Sequence, residues 1–322
     1  MCRGPENGRT GRAGKAAAGK GAHPMTSMKD QTFGVEVEMV LSREKAAHTI
    51  AEHFGTRPRY VGGTYSAWKI PDGQGREWTV ESDSSIDAPT SEAKCEFVTP
   101  ICRWADIETL QALIRKLREA GGKAHHSCGI HVHIGLGEHT PKTLRNLVNI
   151  VNAHEDLLTQ SLAISSNRRD RWCKPVDQRF LERLNRTRPT TPEAFAQLWY
   201  NDRDWQSHAS VHYDFSRYHL LNLHAVWQKG TIEFRAFNST LHAGEIKSYV
   251  QLCMAISFMA LNASAASPRR PVTDNPAYTF RCWLLRLGMN GEEFKTARTH
   301  LLKNLPGNAA WRNGTPTARR TA

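Results

Sequence analysis

The chain has 322 residues, of which 39% are hydrophobic and 23% charged, a composition typical of a globular protein with one large or two modest domains. The formal net charge is +12, but residues 1–30 carry +4 of it and residues 307–322 carry +3. Most of the excess positive charge therefore lies near the two ends, and it does not indicate nucleic-acid binding beyond loose contacts of the tails.

The spacing of the cysteines and the length of the apolar runs exclude several further classes of protein. The seven cysteines are an odd number and none stands in a C-x-x-C pair, which excludes a disulfide framework and a zinc-finger ligand set. Reduced thiols and the lack of an apolar signal-peptide core predict a cytoplasmic protein. The most apolar long run, residues 249–266, is interrupted by Gln251 and Asn262 and predicts a buried helix, so no membrane partner is expected.

In chain order, the two ends differ from the middle. Residues 1–30 are rich in Gly, Ala and Lys without an apolar period, and they are predicted to be a disordered basic tail. Residues 306–322 are predicted to be a second disordered tail. Residues 31–305 are predicted to form a single domain.

Between the tails, strand and helix patterns are mixed. Alternation of apolar and polar residues predicts strands at 32–40, 76–80, 93–98, 128–135, 219–226 and 230–237. Helical spacing of apolar residues predicts helices at 106–120, 141–162 and 243–261, with one or two more within 275–304. Residues 165–217 have weak periodicity and predict a long functional loop with a short helix near 192–200. The sum is an α+β domain with an antiparallel or mixed sheet.

Several predicted strands carry acidic or imidazole side chains two residues apart, which places them on one side of the strand. These residues are Glu36 and Glu38, His131 and His133, Glu233 and Arg235, and the single Glu96. A half-buried strand with a solvated face gives such alternation in any one case, but solvated faces would also carry Lys, Thr, Ser and Gln. Converging carboxylates repel each other unless a cation lies among them, and Mg²⁺ or Mn²⁺ suits oxygen donors with some imidazole.

The same stretches, in this order, resemble a known family. GVEVEM at 34–39, DSS at 83–85, EFVTP at 96–100, CGIHVHIG at 128–135, NRRDRWCKP at 167–175 and YHLLNLHAVWQKGTIEFRAFNSTL at 218–241 resemble the amidoligases. These are carboxylate–amine ligases related to glutamine synthetase and glutamate–cysteine ligase. The resemblance covers residues 32–262. It implies an α+β, glutamine synthetase-like fold, in which a curved antiparallel half-barrel sheet with flanking helices binds ATP and Mg²⁺ or Mn²⁺ on its concave face.

The resemblance also implies roles for individual residues. The metal ligands would be Glu36, Glu38, Glu96, His131, Glu233 and, less directly, Asp83. ATP would contact His133 and Arg235, with Arg168 and Arg169 as stand-ins for further phosphate-binding arginines. The residues implied in catalysis are Arg235, Glu233 and Glu36. One departure affects Asp83, because family members often have Gly after this aspartate and here Ser84 follows it.

The implied activity is ATP-dependent formation of an amide, as a peptide or isopeptide bond, through an acyl-phosphate intermediate. The partners would be a carboxylate and an amine, and small metabolites, a peptide, a peptidoglycan stem or a protein side chain all remain open, as does the oligomeric state. Three alternatives also remain: a metal-dependent amide hydrolase at the same Glu/His site, an acyl-transfer enzyme using Cys128 with His125 or His126, and a nucleic-acid-binding module. The last is disfavoured because aromatic residues do not alternate with Lys/Arg along a strand.

Overall fold

The computed structural model describes residues 27–313, which form eight β-strands and eleven α-helices. The strands are β1 Phe33–Val40, β2 Arg59–Gly62, β3 Ala67–Pro71, β4 Glu77–Glu81, β5 Lys94–Val98, β6 Gly129–Gly135, β7 Leu221–Asn222 and β8 Thr231–Asn238. The helices are α1 Arg43–Phe54, α2 Ile107–Glu119, α3 Pro141–Ser161, α4 Ser166–Arg171, α5 Gln178–Thr187, α6 Pro192–Tyr200, α7 Trp205–Ser210, α8 His224–Lys229, α9 Ala243–Asn262, α10 Pro276–Arg286 and α11 Lys295–Leu302.

All eight strands belong to one open sheet in the order β2-β3-β4-β5-β1-β6-β8-β7. Every pair of neighbouring strands in it is antiparallel. The α+β class is therefore confirmed, and the sheet is antiparallel rather than mixed. Four consecutive strands of the sheet, β5, β1, β6 and β8, are those predicted to carry the Glu and His residues.

The apolar face of the sheet forms the core. Val35, Val37 and Met39 of β1 are buried, and so are the three aliphatic residues of β6 that alternate with its histidines. Helix α9 contacts both strands and also α2, α3 and α11. Each fully buried aliphatic side chain contributes about 1.5–3 kcal/mol to folding. Burial of the apolar residues therefore orients each strand so that its polar side chains point away from the helices. The expected buried helix is α9, and within residues 27–313 no helix is both long and apolar enough to cross a membrane.

Helix α3 begins as its sequence predicts and carries an unexpected polar stripe. Thr140 caps it by accepting a hydrogen bond from the Thr143 backbone N–H, with proline at the first turn. On its buried side Asn146, Asn149 and Asn152 donate to backbone carbonyls within residues 263–268 at 2.8–2.9 Å. The three amides thus provide hydrogen-bond donors to an irregular segment that has no strand partner.

Two predictions for the second half of the chain were wrong. Residues 165–217 are not a long loop with a single short helix: α6 confirms the helix predicted near 192–200, but α4, α5 and α7 also lie in this segment. Helices α4 and α7 have only six residues, too few for a clear apolar period, and three of the four helices begin at the capping side chains of Ser165, Asp177 and Thr191. The strand expected at 219–226 is reduced to Leu221–Asn222, since the Asn222 side chain accepts from the His224 N–H and turns the chain into α8.

The described fold also extends past the predicted domain limits. Residues Met28–Asp30 form a short 3₁₀-helix with a buried methionine, and residues 308–312 provide backbone carbonyls to the Asn275 amide. Helix α1 and strands β2 and β3 were not predicted at all. The disorder predicted for the rest of the two tails concerns residues 1–26 and 314–322, which lie outside the described residues.

Candidate active site

The polar side chains of β5, β1, β6 and β8 meet on the face opposite the α9 core. Glu36 on β1 is directly opposite His131 on β6, and Glu38 is opposite Glu96 on β5. His133 is in turn opposite Glu233 on β8. Directly opposed residues in antiparallel strands have Cβ atoms about 4.5–5.5 Å apart, so strand register alone gathers residues that are nearly 200 positions apart in sequence.

Three overlapping groups of these side chains are close enough to share cations. Within each group the ligand atoms lie within 4.8 Å of one another. The groups are Glu36, His133 and Glu233; Glu36, Glu96 and His131; and Glu38, Asp83 and Glu96. We call their seven members the ligand row. All six residues implied as metal ligands belong to it, and so does His133, for which the family resemblance implies a nucleotide contact.

Both histidines of the ligand row are held by one ring nitrogen. Nδ1 of His131 lies 3.0 Å from Glu36 Oε2, and Nδ1 of His133 lies 2.9 Å from Thr231 Oγ1. Rings that donate through Nδ1 keep a lone pair on Nε2, the arrangement usual for metal-binding histidines. His133 Nε2 is buried and forms no hydrogen bond, although it lies 3.2 Å from Glu36 Oε1. Burial, with the nearby Arg235 charge, lowers the pKa of His131 to about 4, so this ring is neutral at pH 7.

One end of the ligand row is crowded with carboxylates. Burial, and then the charge of Asp83, raise the pKa of Glu38 to about 7. Burial together with Glu36 and Glu38 raises the pKa of Glu96 well above its ordinary value. Like charges that cannot be solvated favour protonation. A cation at this end would oppose both shifts, because its charge favours the ionised carboxylates.

The other end pairs its acids with bases. Burial alone would raise the pKa of Glu36, but the two histidines and Lys229, whose Nζ is 2.9 Å from Oε1, hold it well below the usual range. Glu233 is likewise buried, yet Arg235 keeps its pKa far below normal through an ion pair of 2.5 Å. Asn222 donates to the second oxygen of Glu233 at 2.7 Å. Both acids are therefore ionised at neutral pH.

Of the two arginines proposed as phosphate contacts on α4, only Arg168 points to the site. Its buried guanidinium donates to the Arg235 carbonyl oxygen at 3.2 Å and lies beside Gly129 and Glu38. Its Nε has no hydrogen-bond partner. Arg169 is exposed and does not line the adjoining cavity, so the structure gives it no place in the site.

A cavity of about 400 Å³ opens on the carboxylate-rich end. Glu38, His131, Arg168 and Arg235 form part of its wall, together with hydroxyl side chains and Arg217. Tyr65 and Tyr213 are both exposed residues of this wall, and their hydroxyl oxygens lie 3.4 Å apart. A second cavity, of about 380 Å³, adjoins the opposite end and is lined by Glu36, His133, Lys229 and several glycines. The ligand row therefore lies between two openings, whereas a third cavity, of about 330 Å³, is lined by none of its residues.

Sequence reasoning missed three residues of this face. Glu81 ends β4 opposite Glu96, and burial raises its pKa; extending the predicted strand by one residue would have placed it there. Lys229 was missed because its segment was not recognised as a helix. Asn222 is polar and uncharged, and nothing in the local pattern marks it as a partner of Glu233.

The structure gives little support to the alternative of an acyl-transfer enzyme that uses Cys128. Cys128 is only 1% exposed, and burial, reinforced by Glu38, raises the pKa of its thiol to about 11. A nucleophilic cysteine needs the thiolate form at neutral pH. Nδ1 of His125 contacts the Ser127 hydroxyl rather than the thiol.

Comparison with known proteins adds one finding. A family model described as "Putative amidoligase enzyme" matches residues 29–257. This span includes every strand of the sheet and every member of the ligand row. No curated protein matches the chain.

Proposed function

Because the chain belongs to the amidoligase family, we propose that it is an ATP-dependent carboxylate–amine ligase that forms an amide bond through an acyl phosphate. The observation that carries the proposal is the ligand row, in which three groups of carboxylates and imidazoles overlap beside an arginine-lined cavity. We also propose that the open antiparallel sheet is a glutamine synthetase-like sheet, with the ligand row on its binding face.

The donor set fits Mg²⁺ or Mn²⁺. Five carboxylates and two imidazoles make it rich in oxygen, which hard divalent cations prefer, and Mn²⁺ accepts imidazole more readily. The raised pKa values of Glu38 and Glu96, and the unpaired Nε2 of His133, are features that a bound cation would relieve. We therefore extend the metal role to His133 as well as His131. A bound cation would supply positive charge next to phosphate oxygens.

The protein's own bases serve the same electrostatic purpose. In the proposed reaction the substrate carboxylate attacks the γ-phosphoryl group of ATP and releases ADP, and the amine then displaces phosphate from the acyl phosphate. The first step brings two anions together, so it needs fixed positive charge. Arg235 is held by Glu233, Arg168 by the Arg235 carbonyl, and Lys229 by Glu36. Positioned in this way, the three cations pay little reorganisation cost when a phosphate arrives.

The activity can be tested before the natural substrates are known. The full chain is incubated with ATP, Mg²⁺, hydroxylamine as the amine, and a panel of amino-acid and peptide carboxylates. We expect ADP release that requires both the acid and hydroxylamine, with formation of the matching hydroxamate. With an ¹⁸O-labelled acid, one label should appear in the released phosphate, because the carboxylate oxygen stays with phosphorus when the amine attacks carbon.

Glu36→Gln should lower the rate about 100-fold or more, since it removes a charge shared by two of the three groups. The matched control is Glu44→Gln, an exposed position on α1, which should leave the rate unchanged. Release of AMP instead of ADP would rule out the acyl phosphate. Amide hydrolysis without ATP would favour the hydrolase, and loss of activity in Cys128→Ser but not in Glu36→Gln would favour the thiol enzyme.

A further inference from the structure

A second cluster of metal-binding side chains lies apart from the ligand row. It consists of Asp87, in the connection between β4 and β5, with His125 and His126, which precede β6. One ligand atom of each residue lies within 4.8 Å of those of the other two. The imidazole rings are adjacent, with centroids 4.0 Å apart.

Ser127 ties the members of this cluster together. Its hydroxyl oxygen lies 2.9 Å from Nδ1 of His125 and accepts the Asp87 backbone N–H, also at 2.9 Å. Nδ1 of His125 also accepts the Ser127 backbone N–H at 3.3 Å, so a metal that binds Nε2 would move the ring proton to Nδ1, where the hydroxyl can accept it in place of this long contact. Hydrogen bonds of this kind fix the orientation of metal-binding histidines, so Ser127 positions the His125 ring and also ties its loop to the backbone of Asp87.

We propose that Asp87, His125 and His126 form a binding site for a transition-metal ion of the Zn²⁺, Co²⁺ or Ni²⁺ class. Two imidazoles and one carboxylate suit these ions, whereas Mg²⁺ prefers oxygen donors. Around a tetrahedral ion with bonds of about 2.1 Å the ligand atoms would be about 3.4 Å apart, so the loops need to close only slightly. The fourth position stays open to solvent, because Asp87 and His126 are exposed.

The position of the site suggests what the ion would do. The connection that carries Asp87 also carries Asp83, a member of the ligand row, and Ser84 and Ser85, which line the 400 Å³ cavity. Ser127 lines the same cavity from the other loop. A metal bridging the two loops would hold this part of the cavity wall in one arrangement. This inference does not depend on the proposed ligase activity.

The test is Co²⁺ binding to the full chain, followed by visible absorption and by competition with a chromophoric chelator. In excess Mg²⁺, added to compete for the ligand row, the wild-type chain should still bind Co²⁺ at this cluster. Asp87→Asn and His126→Asn should weaken this binding by about 100-fold or more, and Ser127→Ala by about 10- to 100-fold, because it removes the orienting hydroxyl. Ser127→Ala is informative because it deletes no metal-binding atom of the cluster.

The control variants separate this site from others. His48→Asn changes an exposed histidine of α1 and should bind Co²⁺ like the wild type, and so should Glu36→Gln, which alters only the ligand row. Unchanged Co²⁺ affinity in His126→Asn would overturn the proposal. So would complete displacement of Co²⁺ by millimolar Mg²⁺, which would place the ion in the ligand row.

Discussion

At the scale of single residues, a missing side chain makes room for a charged one. Gly129 opens β6, and its N–H donates to Glu38 Oε2 at 2.6 Å. A Cβ at this position would lie 2.2 Å from Nη1 of Arg168. The guanidinium therefore occupies the space that any other residue would fill, which explains how an arginine on α4 reaches a carboxylate on β1.

Gly129→Ala should therefore impair the site more than the fold. The clash is with the end of a side chain rather than with backbone, so Arg168 can move aside and the melting temperature should change by only a few degrees. Because misplacing a site group by about 1 Å can cost about 100-fold, we expect a fall of that order in kcat/KM for hydroxamate formation. Gly73→Ala is the matched control, since a Cβ there meets nothing within 4 Å. Wild-type activity in Gly129→Ala would show that the position of Arg168 does not matter.

At the scale of elements, a buried histidine joins helix α9 to the rest of the fold. His139 lies between β6 and α3, with Nδ1 3.1 Å from Thr143 Oγ1 and Nε2 2.9 Å from Ser257 Oγ on α9. Ser257 in turn donates to Gln31, just before β1. A neutral ring that donates from Nε2 and accepts at Nδ1 satisfies both contacts. The chain of hydrogen bonds thus connects α3, α9 and the start of β1.

Because His139 lies in this chain of hydrogen bonds, the free energy of unfolding should depend on pH. Burial lowers the pKa of His139 to about 4, against about 6.5 in the unfolded chain. Between these values the unfolded state binds the proton more readily, so stability is complete above about pH 6.5 and is lost as the pH falls towards 4. Relative to His139→Asn, the wild type should lose about 3 kcal/mol of unfolding free energy across this window. Urea unfolding at several pH values measures the difference, and a pH-independent difference would contradict this account.

At the scale of the whole molecule, the two faces of the sheet differ in their effect on stability. The apolar side chains of one face stabilise the fold, whereas the crowded carboxylates of the other destabilise it. The apolar face packs on α9, while the ligand row gathers carboxylates from β1, β5 and β8 and from the connection after β4. Burial, and then the neighbouring charges of Glu36 and Glu38, raise the pKa of Glu96 well above its ordinary value, which reflects the cost of placing these acids together on a buried face. Binding sites commonly trade stability for function in this way.

Glu96→Gln should stabilise the metal-free protein and weaken its metal binding. It replaces an acid whose pKa lies well above normal by a neutral side chain of the same shape, so without metal the variant should melt at or above the wild-type temperature. At about 100 times the dissociation constant, Mn²⁺ should stabilise the wild type by about 2.7 kcal/mol and raise its melting temperature by several degrees. In Glu96→Gln most of this shift should disappear. Glu44→Gln serves as the exposed control, and an equal Mn²⁺ shift in Glu96→Gln would remove Glu96 from the metal site.

Across the three scales, the sequence predicted best what depends on neighbouring residues. Alternation in β1, β5, β6 and β8 placed Glu36, Glu38, Glu96, both strand histidines and Glu233 on the correct strands, because the side-chain period of a strand is a local property. Sequence reasoning placed α6 correctly but missed α4 and α7, which are too short to show a period and depend on packing and capping, and it overlooked the apolar side that Phe180, Leu181 and Leu184 form on α5. It also failed for α8 and Lys229, since a single hydrogen bond that the His224 N–H donates to the Asn222 side chain ends the strand there.

By itself, then, the sequence determined the family, the α+β class and which residues of each strand share a side. Only the tertiary structure decided that β1 lies between β5 and β6, with β8 next, and that Arg168 but not Arg169 joins the site. The physical reason is that strand order and register are set by burial of the apolar face against helices such as α9, which come from distant parts of the chain. This packing energy cannot be derived from any local sequence pattern. The packing is what brings the scattered pairs of polar residues together into one ligand row.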